Sequence, residues 1–295
     1  MKYVFLLNSY SLKDKLNSVK KAIEDICINK ELDYKFEINS EHSSTEEILK
    51  KYKNSSNVIM AVGGDGTINR VLNGIVGTKN ILGYVPYGTG NDFYRSNKEL
   101  LQEGFNKIDL VNVNNRYFIN VACFGIDAEI GNNNDFVHSK FIPKKLRYTM
   151  SMLYHFITYK DREYTIKIND EVYKDLYTTV TVCNGKYYGG GYKIGYNSLL
   201  DDGLIDVYLV PKLNKIDTAK LILGMNKGKH ETSKKVKKIP TTNLIITSPK
   251  EVECNLDGEL IVDKRFDISI IPDGIEVYYN QKLIDDIQKK LIKTK

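Results

Sequence analysis

The feature that most constrains the fold is the stretch "NVIMAVGGDGTINRVLNGIV", residues 57–76. An apolar run meets two adjacent glycines, an aspartate and a third glycine. Apolar residues then resume at helical spacing, with Ile68, Val71, Leu72 and Ile75 on one face. This pattern predicts a short buried strand turning directly into a helix. The rest of the first third alternates in the same way. "KYVFLLN" reads as a strand, and Leu16, Val19, Ile23 and Ile26 recur at helical spacing within residues 12–30. "DYKFEIN" alternates with period two. Residues 43–53 read as a helix opened by Ser43 or Ser44, with Glu46 and Glu47 in its first turn, and "ILGYVP" is a further strand. Strands interleaved with helices imply a parallel sheet with right-handed crossovers, whose ligands bind at the carboxyl ends of the strands.

From about residue 107 the texture changes. "KIDLVNVNNRYFINVACFG", "REYTIKINDEVYKDLYTTVTVCNG", "GLIDVYLV", "TNLIITS" and "FDISIIPDGIEVYYN" are rich in β-branched and aromatic residues separated by turn dipeptides, as in antiparallel sheets. Helical stretches interrupt them at 143–159 and 215–225, and "QKLIDDIQKKLIKTK" closes the sequence as an amphipathic helix with a basic end. Composition alone places a domain boundary near residue 121. The expected division is an α/β domain over 1–120 and a β-rich domain over 121–280, with helix 281–295 able to pack back on the first.

A net charge of +6 favours anionic partners such as nucleotides or acidic lipid surfaces. No nucleic-acid-binding module accompanies that charge, so nucleic acid is not expected. Cys27, Cys123, Cys183 and Cys254 lie far apart without a CxxC pair. They suggest buried thiols rather than a zinc site or a disulfide framework. The four histidines show no ligand spacing. The apolar start ends at Asn8, too short for a signal-peptide core, and no stretch nears the ~20 apolar residues of a membrane span. A cytoplasmic protein is therefore expected.

The glycines carry chemistry as well as geometry. Gly63, Gly64 and Gly66 let the backbone approach a ligand closely, and the helix that follows offers amides and a partial positive charge to an anion. Asp65 would repel a phosphate unless a cation lies between them, which points to magnesium. The plainer reading is a tight turn in which Asp65 only caps the helix. A second loop, "YVPYGTGNDFYR" at 84–95, again follows a strand and presents Gly88, Thr89, Gly90, Asn91 and Asp92. Two such loops after successive parallel strands face one crevice. With the first loop, Asn8-Ser9-Tyr10-Ser11-Leu12-Lys13, they could surround a triphosphate, Lys13 adding positive charge. The GGDG loop has neither Walker A nor GxGxxG spacing.

Together these motifs resemble the bacterial diacylglycerol kinases and related lipid kinases, distant relatives of sphingosine kinase. "GGDGTIN", "GTGNDF", the "NVACFGIDAEI" entry to the second domain, the "VCNGKYYGGGYKIGYNSLLDDGLIDVYLV" segment and "LDGE" at 256–259 occur in the family's order over residues 1–280. The resemblance implies an N-terminal Rossmann-like, NAD-kinase-like α/β domain and a C-terminal, mostly antiparallel β-sandwich. It implies a kinase using ATP and Mg2+. Asn8, Ser9, Tyr10, Ser11, Leu12, Lys13, Ser40, Gly63, Gly64, Asp65, Gly66, Thr67, Ile68, Asn69 and Thr89 would contact ATP. Asp65, Asp92 and Asp257 would organise the catalytic magnesium through water. The Leu199 and Leu204 carbonyls and Asp202 would hold a structural one. Glu259 is the chosen general base and Asp257 the alternative. The first loop departs from the family's Asn-Pro start and Ser-Gly-Lys-like run, and Arg70 stands where glutamate is frequent.

The acceptor most in keeping with the family is diacylglycerol. The alternatives are another hydroxylated lipid, NAD, or a catalytically silent nucleotide- or lipid-binding role. Residues 140–160 combine Lys144, Lys145 and Arg147 with Leu146, Met150, Leu153, Phe156 and Ile157, and residues 226–238 gather six lysines. An ordinary core helix and a solvated loop are the plain readings of these stretches. For an enzyme whose substrate lies in a bilayer, they would provide peripheral membrane contact. The expected partners are thus a lipid at a membrane surface and, as one option, a second copy in a homodimer.

Overall fold

A computed structural model describes residues 1–40, 43–125 and 160–293. The helix expected at 143–159, the apolar and basic residues named around it, and the end of "NVACFGIDAEI" lie outside the described residues. The chain forms two compact units: Met1–Leu110 with Pro272–Lys295, and Val111–Ile271. The first division falls before residue 121 because strand β5 (Gly104–Val113) starts in the first unit and ends in the second. The second falls at Pro272 rather than 281, because β15 (Glu259–Tyr279) continues through its Pro-Asp-Gly stretch into the first unit.

In the first unit, β1 (Lys2–Asn8), β2 (Tyr34–Asn39), β3 (Asn57–Gly63) and β4 (Ile81–Pro86) form a parallel sheet in the order β2-β1-β3-β4. The end of β15 adds a further parallel strand, Val277 and Tyr278 pairing with Leu82 and Gly83. Every residue of β3 and β4 is buried, as the strands of a sheet covered on both faces should be. Helices α1 (Ser9–Leu12), α2 (Leu16–Asn29), α3 (Thr45–Lys50), α4 (Asp65–Ile75) and α5 (Asp92–Leu100) connect the strands. Of the two candidate caps for α3, Ser44 holds it, in a reciprocal capping box with Glu47.

The last helix, here α7 (Gln281–Lys293), packs back on α2 within this unit. Leu283, Ile287 and Leu291 join Val19, Ile23 and Cys27 in one core. Burying an aliphatic side chain of this size is worth about 1.5–3 kcal/mol. The ion pairs Lys30–Asp286 (2.8 Å) and Lys290–Asp25 (2.6 Å) flank that seam.

The second unit is antiparallel. Short β6 (Arg116–Phe118) pairs with the end of β5, and β10 (Tyr187–Tyr188) with β11 (Tyr192–Lys193). Strands β7 (Val121–Gly125), β8 (Arg162–Ile168), β9 (Glu171–Cys183), β12 (Ile205–Pro211), β13 (Lys237–Thr241) and β14 (Asn243–Leu256) pair with one another and with the first part of β15. Alternation along β7 sends Ala122 and Phe124 to one core and Val121 and Cys123 to another. Helix α6 (Lys215–Met225) follows β12, as its spacing predicts.

Candidate nucleotide and catalytic site

The carboxyl ends of β1, β3 and β4 carry Asn8, Gly63 and Pro86, so three connecting segments leave one end of the parallel sheet. The two glycine loops meet backbone to backbone. A Cβ added to Gly88 would stand 2.6 Å from the Gly64 Cα, and one on Gly63 would stand 2.4 Å from Thr67 Oγ1. Only glycine permits that approach. The Tyr87 amide donates to the Gly63 carbonyl at 2.8 Å.

Asp65 fastens the two loops together. Its Oδ1 accepts from the Phe93 amide at 3.0 Å, and the amides of Asp92 and Asn91 also point to it. It therefore caps the amino terminus of α5, not that of its own helix as the plainer reading had it. Burial pushes its carboxyl above the ordinary range, while these amides act in the opposite sense. Asn91 sits in the left-handed region (φ 54°) and closes the second loop, its Oδ1 accepting from the Gly88 amide and its Nδ2 donating to the Gly88 carbonyl. Thr89 is exposed at the loop's tip. Asp92 is buried, with Arg95 Nε 3.8 Å away.

The first loop contains a short helix, α1. Asn8 accepts from the Tyr10 and Ser11 amides and donates to Thr67 Oγ1 at 3.1 Å, tying this loop to the start of α4. Asn39, at the end of β2, accepts from the Ser9 amide. Ser40 pairs with Ser43. Lys13 is exposed and holds φ 45°, ψ −126°, a conformation that favours glycine. No side chain caps α4, whose N-cap is Gly64. Gly63, Thr67, Ile68 and Asn69 are buried, so the loop from Gly64 to Gly66 is what this motif leaves accessible.

In the second unit, Asp257 and Gly258 form the turn between β14 and β15, with φ values of 49° and 94°. An Asp-Gly pair joining two antiparallel strands is a hairpin turn, and the geometry here is that of one. The Asp257 side chain is gripped as Asp65 is. Its Oδ2 accepts from the amides of Ile119 (2.8 Å) and Asn120 (3.1 Å), and its Oδ1 from Val121 (2.8 Å). Buried amides complete the knot. Asn184 donates to the Ile119 carbonyl at 2.9 Å, and Asn255 accepts from Gly258 at 2.8 Å. Asn120, Asn184 and Asn255 are structural members of the site that motif reading passed over. Their signal was a polar residue beside an otherwise apolar strand. Half-buried Glu259 begins β15 directly after the turn.

Among the described residues, no three His, Cys, Asp or Glu side chains gather closely enough to hold a metal directly. In the first unit, Asp65 is engaged with amides, which fits a magnesium that would be held mainly by phosphate and water. In the 199–204 turn, Asp202 Oδ1 accepts from the Leu204 amide at 3.0 Å, and Gly203 reverses the chain at φ 72°. Carbonyls and one carboxylate are the donor types magnesium takes, with water filling the remaining positions.

The diacylglycerol kinase catalytic-domain profile matches residues 2–112, and the YegS C-terminal NAD kinase β-sandwich-like profile matches residues 120–279. The chain belongs to the diacylglycerol kinase-like family. A Staphylococcus carnosus protein named "Putative lipid kinase" is 28% identical over 244 residues, covering 76% of this chain and 78% of that protein. The crystal structure of a diacylglycerol kinase from Bacillus anthracis shares the fold, with TM-score 0.69 at 19% identity over 96% and 98% of the two chains. An Archaeoglobus fulgidus NAD kinase solved with ATP shares it more distantly, with TM-score 0.51 at 13% identity over 99% of each chain. The α/β and β-sandwich architecture expected of this family member is therefore the one it has.

Proposed function

We propose that this chain is an ATP-dependent lipid kinase that moves the γ-phosphate of ATP to the hydroxyl of diacylglycerol, giving phosphatidic acid. The observation that carries the reading is the pair of glycine loops that Asp65 holds backbone against backbone beside the uncapped start of α4. Bare backbone at a helix amino terminus suits a polyphosphate. Asn8, through Thr67, orders the first loop at the same end of the sheet.

A lipid hydroxyl needs a proton acceptor as it attacks phosphorus. Both Asp257 oxygens already accept amide hydrogens, which makes it a positioning residue for its turn. Glu259 is then the general base. Magnesium bound with the nucleotide would neutralise charge on the phosphate oxygens.

The test is mass spectrometry of a mixed lipid extract incubated with pure protein and Mg-ATP, with NAD offered in parallel. A phosphorylated diacylglycerol is expected. A phosphorylated NAD, or no phosphorylated product, would overturn the reading.

A further inference from the structure

Helix α6 presents to solvent what a helix normally hides. Only Thr218 and Gly224 are buried in it, while Ile216 is 69% and Leu223 82% exposed. Ile216, Lys220 and Leu223 are spaced four and three residues apart, so two large apolar side chains and a cation share one outward stripe. A helix packed only within its own domain turns such residues inward.

The charge around this stripe is one-sided. Residues 212–238 hold nine lysines against Asp217 and Glu231, so this stretch alone carries +7 in a chain whose net charge is +6. Not all of that charge faces outward. Lys235 pairs with Asp217 at 2.5 Å, Lys237 lies over the Tyr173 ring, and Lys238 pairs with Asp206 at 2.9 Å. Lys220, Lys227, Lys229 and Lys234 are exposed around the helix and the turn that follows it. The turn is itself anchored from below, Glu231 bonding to Tyr208 and Asn197, and His230 to the Ile194 carbonyl.

We propose that α6 and the turn after it are a membrane-docking surface that seats Ile216 and Leu223 among the acyl chains of an anionic bilayer. The lysines lie at the level of the headgroups. Exposed aliphatic side chains interleaved with cations match that layered solvent, since long lysine stems keep their charge at the interface while apolar neighbours enter the lipid. A soluble acidic protein would be served by the charges but not by the apolar stripe. A second copy would bring +7 against +7. The inference deepens the lipid-kinase reading by naming where that enzyme meets its substrate's phase, but it is tested without ATP.

The experiment is flotation of the full chain with phosphatidylcholine–phosphatidylglycerol vesicles and with phosphatidylcholine alone. Strong binding to the anionic vesicles, weakened by salt, is expected. The double variant Ile216→Ser/Leu223→Ser should bind them about tenfold or more weakly at unchanged Tm. Glu at Lys220, Lys227, Lys229 and Lys234 should remove the dependence on anionic lipid. Three outcomes overturn the proposal: no vesicle binding by the parent, undiminished binding by both variants, or a lower Tm in the serine variant with binding intact. The last would mean that the stripe is covered within the molecule. Turnover of a short-chain acceptor dispersed as monomers reports the kinase reading separately. Vesicle binding without any lipid product would leave the docking surface standing and sink the kinase.

Discussion

Asp65 and Asp257 stand in different units, yet backbone amides grip both of them. Asp65 reaches across 28 residues to the start of α5, and Asp257 across 136 to 138 residues to the start of β7. The difference lies in what each grip secures. Asp65 holds two glycine loops against each other, at the cost of a carboxyl pushed upward by burial. Asp257 holds a hairpin turn and thereby sets the position of Glu259 next to it. One grip joins two loops, which the proposed function makes the nucleotide surface, and the other positions a single turn.

The sharpest way to break that distinction is to separate Asp257 from Glu259. Glu259→Gln should lower lipid phosphorylation by about 10²–10⁴-fold with Tm and nucleotide affinity unchanged. Asp257→Asn should instead lose stability, about 1.5–3 kcal/mol in urea unfolding, because its NH2 group faces amide donors. Equal loss of turnover without loss of stability in both would make Asp257 a chemical participant.

The binding-surface half is tested by Gly88→Ala. The new methyl carbon would meet the Gly64 Cα at 2.6 Å, so the loops must part. Nucleotide affinity measured by calorimetry should fall about tenfold or more, with stability lowered by about 1–3 kcal/mol. Unchanged affinity would show that the two loops need not touch to hold the nucleotide.

A pH series compares the units directly. Burial holds the His230 imidazole below its usual value of 6.5, so the unfolded chain binds its proton more readily than the folded one. Its contribution is complete above about pH 6.5 and fades as pH falls. Glu231, held low by Tyr208, Lys238 and Asn197, adds a loss in the same direction below the carboxylate range. Protection factors of amides in the second unit, corrected for the intrinsic pH dependence of exchange, should therefore fall between about pH 7 and pH 5, and His230→Gln should flatten the upper part of that change. An unaltered profile would show that the buried ring is not the source.

The smallest effect is expected at Lys13. Glycine there relieves the φ 45° backbone, for a gain of a few tenths to about 1 kcal/mol. A loss of stability would show that the lysine stem packs usefully.

Much of this was legible because the signals are local. Apolar patterning marked the strands of the parallel sheet and helices α2 and α4, the cap and first-turn glutamates marked α3, and the glycines marked both loops. What was not legible is where side chains are spent. Nothing around "GGDG" announces that its aspartate will cap a helix beginning at Asp92, since that pairing exists only once β3 and β4 lie side by side. The strand runs through Pro272-Asp273-Gly274, with Asp273 at φ 52° and its amide donated to Asp109. The composition of "FDISIIPDGIEVYYN" is the same on both sides of that point, so the chain's return to the first unit within it was hidden. In α6 the sequence shows apolar residues, but the outward direction of Ile216 and Leu223 is set by tertiary packing.

The most direct test of the central claim is residue-resolved amide hydrogen exchange with and without Mg-ATP. Gly64 to Thr67 and Gly88 to Phe93 are expected to gain protection together on adding nucleotide, and Asp65→Ala to uncouple them. Protection of one loop without the other in the parent protein, or of neither, would contradict that claim.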